Sequence, residues 1–169
     1  GWADKYSQIF SSINPVSSSH YNFSFPEPTG VVGIIAPNKF GLLGLVNTIL
    51  PVIIGGNTCV VLASKINPLS AISLSEVIAT SDVPNGVINI ITGSKNELIT
   101  HFSSHMDVNA IIYYGNKNND IKIIQEASSN NVKRVLIREN KDQFSCSEEN
   151  PYYILDAQEI KTTWHPIGI

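Results

Sequence analysis

Five short apolar runs recur through the middle of this chain: Val31 to Ala36, Thr58 to Leu62, Val87 to Ile91, Ala110 to Tyr114 and Lys133 to Ile137. They lack the polar alternation of a half-exposed strand, so they read as strands buried on both faces. Longer amphipathic stretches lie between them, and the spacing predicts helices at Phe40 to Ile54, Leu69 to Thr80, Lys95 to Ser103 and Lys117 to Ser128. The punctuation agrees. Gly55-Gly56 suits a helix C-terminus, Asn67-Pro68 a helix entry and Pro84-Asn85-Gly86 a turn before a strand. Buried strands joined by single helices need a parallel sheet with helices on both faces, and right-handed crossovers then impose one architecture. The expected fold is α/β, a doubly wound, Rossmann-like parallel sheet of about five strands.

At 169 residues the chain holds about one domain. Hydrophobic residues make up 43% and charged residues 15%, enough apolar material for a real core. A net charge of -3 lacks the basic footprint that a phosphate backbone requires, which disfavours nucleic acid as a partner. Phe40 to Ser64 contains no charged residue and would score as a membrane span in a window of about 19 residues. Asn47, Pro51, Gly55, Gly56, Asn57 and Thr58 interrupt it, dividing it into helix, turn and strand, so no membrane association is expected. The start shows no basic segment followed by an apolar run. Cys59 and Cys146 have neither CxxC nor Cys/His ligand spacing, so a reducing cytoplasm is the expected setting.

The flanks differ from the centre. In residues 1–29, His20 to Phe25 alternates strictly and sets Tyr21, Phe23 and Phe25 on one face of a strand. Pro26-Glu27-Pro28 separates that strand from the sheet domain of residues 30–138, so it is expected to project and to pair with another chain. Residues 139–169 read as a polar loop and a tail, in which Tyr152 to Leu155 adds a short strand and Thr163 to Ile169 is apolar without a period.

The segment from Pro28 to Pro37 (PTGVVGIIAP), followed by Gly56-Asn57-Thr58, Asn67-Pro68-Leu69 and Pro84-Asn85-Gly86-Val87-Ile88-Asn89, resembles the cofactor-binding domain of the aldehyde dehydrogenase superfamily. Trp2-Ala3-Asp4-Lys5 and Ser104-His105-Met106-Asp107-Val108 resemble family stretches in the same order. The resemblance implies that residues before Pro28 form oligomerisation strands, giving a homodimer through Tyr21, Phe23 and Phe25. It also implies that Pro37, Gly115 and Asn116 lie where the cofactor binds.

Where this chain departs from the family, the departures fall on chemistry. Pro37-Asn38-Lys39-Phe40-Gly41 puts Lys39 where the family has its oxyanion-stabilising Asn, a donor worth a few kcal/mol of barrier. Leu62 and Lys65 stand at the adenosine-ribose Lys and Glu, so a donor becomes apolar and an acceptor changes sign. The pyrophosphate turn reads Tyr114-Gly115-Asn116, and the general-base Glu is replaced by Arg138. Cys146 lies in a polar loop without the sequence around the family's nucleophile. No catalytic residue and no metal ligand is therefore expected, with no cofactor or only weak NAD(P) binding. This pattern resembles the non-catalytic C-terminal part of tandem family 16 aldehyde dehydrogenases, whose chain ends look similar to Lys161 to Gly168. A solitary truncated homologue is the competing description. The implied role is dimerisation or docking to a catalytic aldehyde dehydrogenase module, and the alternative is a degenerate NAD(P)-binding domain.

Several residues carry a sharp reading beside a plain one. Gly115-Asn116 opens a helix and could hold a phosphate, or Asn116 could simply cap it. His101 and His105 are four apart but lack a third ligand. Lys39 could act as an amine nucleophile, or sit solvated in its loop. Cys59, within an apolar run, reads as a small buried hydrophobe.

Overall fold

The computed structural model describes residues 1–139 and 150–168. Helix α1 (Trp2–Phe10) and strands β1 (Ser12–Asn14) and β2 (His20–Pro28) precede the sheet domain. Five strands then form one parallel sheet: β3 (Val31–Ile35), β4 (Thr58–Leu62), β5 (Ile88–Ile91), β6 (Ala110–Tyr114) and β7 (Arg134–Arg138), in the order β5-β4-β3-β6-β7. This is the expected doubly wound α/β architecture. Helices α2 (Gly41–Ile54), α3 (Pro68–Ala79), α4 (Lys95–Ser104) and α5 (Asn118–Ser128) lie within a residue or two of the segments read from periodicity. Period 2 divides the strands between two cores. Val32, Ile34, Val61 and Ile112 pack with Leu45, Ile49 and Val52 of α2, whereas Ile35, Leu62, Ile111 and Tyr113 pack with Ile99 and Phe102 of α4 and Ile124 of α5. Cys59 is fully buried in the first core, and burial pushes its thiol up to about 12, as befits a packing residue. Among the described residues no helix is long and apolar enough to cross a membrane.

Three expectations for the flanks are corrected. Tyr152 to Leu155 is not a strand but a single helical turn, α6 (Tyr152–Leu155), which starts after Pro151 and buries Ile154. The tail is not aperiodic: Gln158–Pro166 forms strand β8, which pairs antiparallel with all nine residues of β2. Strand β2 consequently is not a projecting lone strand. It is the centre of a three-stranded sheet, β1-β2-β8, and finds partners for its backbone within its own chain. Pro26 does not interrupt it, and Pro28 is its last residue. They fall in the half of β2 that β1 does not flank, where a missing N–H costs the ladder little. The aromatic residues do share a face: the Tyr21 and Phe23 rings lie 5.5 Å apart, and Phe23 stacks on Phe25 at 5.7 Å.

Side chains join the two sheets. Asn57, 1% exposed, accepts the Gly30 N–H at 2.9 Å and donates to the carbonyls of Val52 (3.1 Å) and Ala157 (2.7 Å). Gln158 donates to the Gly55 carbonyl at 3.0 Å. From β7, Arg134 donates to the carbonyls of Asp156 and Gln158 and pairs with Glu159 at 2.6 Å. Gly30 turns the chain from β2 into β3 at φ +127°, and a Cβ there would collide with Asn109 Oδ1, which accepts the Val31 N–H.

Candidate functional site

In an open parallel sheet, ligands bind outside the carboxyl ends of the strands where the order reverses. Here that point lies between β3 and β6, since the chain leaves β3 toward β4 on one side and β6 toward β7 on the other. A cleft of about 250 Å³ occupies the position, lined by Ala36 and Asn38 after β3, Leu62 and Lys65 at β4, Lys95 at the start of α4, and Tyr113 to Lys117 after β6. Its rim is stitched together: Ser64 Oγ donates to the Asn38 carbonyl at 2.8 Å, and the Lys65 N–H to Asn38 Oδ1 at 3.2 Å.

The residues singled out from sequence fall in different places. Gly115 and Asn116 line the cleft. The Gly115 N–H donates to the Arg138 carbonyl at 2.9 Å, so it closes the sheet. Asn116 is exposed and is not the cap of α5. Lys117 holds the cap position, with no side-chain cap bond, and Asn116 lies one residue further out. Pro37 is buried away from the lining, its ring where a Cβ on Gly44 of α2 would fall. Lys39 is exposed, with Nζ 5.0 Å from the centre of the Phe40 ring. Phe40 itself enters α2 through the left-handed region at φ 60°. His101 and His105 are exposed, and among the described residues no group of three or more His, Cys, Asp or Glu is arranged to hold a metal ion. Cys146 lies outside the described residues.

Arg138 is taken up by contacts within its own chain. Its guanidinium donates to Tyr114 Oη at 2.9 Å and pairs with Asp156 at 2.8 Å. It also stacks 3.9 Å from the Tyr153 ring. It clamps the C-terminal segment onto the sheet.

The group that sequence reading missed sits at the cleft wall. Lys95 Nζ pairs with Asp120 and donates to Tyr113 Oη at 3.3 Å, and the Tyr113 hydroxyl donates to Asp120 Oδ2 at 2.7 Å. These residues lie 7, 18 and 25 positions apart, so no local spacing betrays them. A signal was nonetheless present. Lys95 opens α4 and so opposes its dipole, while Asp120 in the first turn of α5 supports that helix and offsets the lysine. Burial pushes the Asp120 carboxyl up, but hydrogen bonds from Lys95 and Tyr113 and the charges of Lys95 and Lys117 outweigh it and hold the group below the usual range. Burial likewise pulls Lys95 down, and its bonds to Asp120 and Tyr113 prevail, leaving it raised. Burial and the adjacent carboxylate raise Tyr113.

The sign of the pH dependence follows. The depressed Asp120 contributes stability above its unfolded pKa of about 4, lost as pH falls through the folded value. The raised Lys95 contributes stability below its unfolded pKa of about 10.4, lost as pH rises through the folded value. The Tm difference between wild type and Lys95→Ala/Asp120→Ala should be flat from about pH 5 to 9 and shrink below about pH 4. Thermal melts across that range check it, and a difference that grows on acidification contradicts it.

The model of the aldehyde dehydrogenase family matches residues 1–140. The chain belongs to the aldehyde dehydrogenase family. An aldehyde dehydrogenase of Agaricus bisporus is 34% identical over 171 residues, covering 100% of this chain and 32% of the relative. Aldehyde dehydrogenase 1A1 of Homo sapiens is 34% identical over 137 residues, 81% of this chain and 27% of its own. The solved NAD+ complex of the Bacillus cereus aldehyde dehydrogenase matches at a TM-score of 0.74 and 27% identity, over 82% of this chain and 28% of that one. The chain thus spans between 27% and 32% of these curated relatives. Its five-stranded sheet is the Rossmann-like fold of the aldehyde dehydrogenase NAD-binding domain.

The crevice is small beside sites that enclose a whole ligand. At about 250 Å³ it lies below the roughly 300–1,000 Å³ of sites that enclose drug-sized ligands. The Gly115 N–H, in the turn that the resemblance gives to the pyrophosphate, is already bonded within the sheet.

Proposed function

We propose that this chain is a non-catalytic aldehyde-dehydrogenase-family domain of the kind found at the C-terminus of tandem family 16 enzymes, retained for dimerisation or for docking to a catalytic aldehyde dehydrogenase module in the cytoplasm. The supporting observation is the aromatic face of the flanking sheet. Both flanks of the chain are spent on building it, and it carries Tyr21 at 42% and Ile13 at 68% exposure beside Phe23 and Phe25. Contiguous exposed apolar surface of this kind marks a contact site. β8 pairs with β2 along its whole length and β1 with Asn22 to Ser24, and the contact proposed is made by side chains across the face of this sheet.

Sedimentation equilibrium tests the reading. The wild type is expected to be a dimer at micromolar concentration, and Tyr21→Ser/Phe23→Ser/Phe25→Ser a folded monomer. A wild type that stays monomeric at high micromolar concentration, both alone and with a catalytic aldehyde dehydrogenase module, removes the proposal. The second reading, a degenerate NAD(P)-binding domain, draws support from the NAD+ complex of the Bacillus cereus relative.

A further inference from the structure

The crevice between β3 and β6 has two kinds of wall. Near the switch point it is backbone and small side chains, Ala36 and Gly115, whereas toward α4 it is filled by Lys95 and Tyr113. The Lys95 and Asp120 side chains are 20% and 10% exposed, and the Tyr113 residue 1%. Three polar side chains thus span the gap between the first turns of α4 and α5, each bonded to the other two. The same wall carries Leu62 and Lys65.

We infer that Lys95, Tyr113 and Asp120 determine what the crevice accepts: tied across the first turns of α4 and α5, they occupy the room that the adenosine half of a dinucleotide needs, and so exclude it. This rests on reading the crevice as the cofactor site of the family. Three physical points support it. The ion pair is shielded and hydrogen-bonded on both partners, so a ligand must either leave a charge unpaired or build around the cluster. Tyr113 is packed into the core beneath it, and its hydroxyl lies over Gly115 at the end of the same strand, where a Cβ would fall. The lysine stem and the tyrosine ring add bulk in the same crevice as Leu62 and Lys65, the positions that the resemblance gives to the adenosine ribose.

Calorimetric titration with NAD and with 5′-AMP decides it, using wild type, Lys95→Ala and Lys95→Ala/Asp120→Ala. The wild type should give no binding up to millimolar NAD. The double variant should bind AMP and NAD at least tenfold more tightly than wild type, with the single variant between. Circular dichroism and melting establish that each variant is folded, and if the double variant is not, Lys95→Ala alone carries the decision. Folded variants that gain no affinity overturn the assignment and leave weak cofactor binding to Leu62 and Lys65. A wild type that binds NAD in the low micromolar range overturns the assignment and the reading of a degraded cofactor site together. The assembly proposal is judged separately by sedimentation.

Discussion

Asn57→Ala is expected to destabilise this domain by about 3 kcal/mol and to lower Tm by roughly 6–12 °C. Asn57 is buried, and its amide joins three pieces of chain where the two sheets meet: the Gly30 turn between the sheets, the end of α2 at Val52, and Ala157 at the start of the C-terminal strand. Truncation removes three hydrogen bonds at once and leaves polar backbone groups with little water to replace them, at a cost of about 1–3 kcal/mol for each group left unsatisfied. Asn57→Asp separates the geometry from the packing. It keeps the acceptor for Gly30 but turns an oxygen toward the carbonyls of Val52 and Ala157, so it should be at least as damaging as alanine. Thermal and urea denaturation followed by circular dichroism measure both variants. A loss below 1 kcal/mol for Asn57→Ala would show that the two sheets are held together elsewhere.

Asn57 also marks the limit of what the sequence discloses. The central sheet was legible because each of its strands is a local apolar run and each crossover a local periodic helix, as at Val31 to Ala36 and Lys117 to Ser128. The flanking sheet was not legible. Strand β8 pairs with β2 across more than a hundred residues, and its own pattern, Gln158 to Pro166, alternates polar with polar on a largely exposed surface. Its register is set by pairing and by Asn57 and Arg134 at its base, none of which leaves a period in the sequence. The helical turn at Tyr152 was misread for a related reason: four residues are too few for periodicity to tell strand from helix. At the site, the family comparison pointed to Lys39, Lys65 and Arg138 as changed residues but not to what they do. Arg138 illustrates the gap, since its replacement of a glutamate reads as loss until its partners Tyr114, Tyr153 and Asp156 are seen.

Arg138→Glu is expected to destabilise the chain by about 3 kcal/mol and to restore no aldehyde oxidation. The substitution returns the residue type that the resemblance assigns to the general base, so a site lacking only that base should recover part of the 10²–10⁴-fold such a base contributes. The structure argues otherwise. Arg138 is held on three sides, by Tyr114 Oη, the Tyr153 ring and Asp156, with its side chain only 11% exposed. A glutamate there faces the Asp156 carboxylate, loses the aromatic stack and releases the clamp on α6 and β8. Lys39 remains where an oxyanion donor worth 10²–10³-fold should stand, and its ammonium is drawn toward the Phe40 ring in solvent rather than into the cleft. NADH formation from short and long aliphatic aldehydes should therefore stay at background for the wild type, Arg138→Glu, and Arg138→Glu/Lys39→Asn. Arg138→Lys should keep part of the stability by retaining one charge, yet lose the planar fork that serves Tyr114 and Asp156 together. Turnover by a folded Arg138→Glu protein would mean that position 138 still faces a competent active site, and the structural role given to the arginine would fall with it.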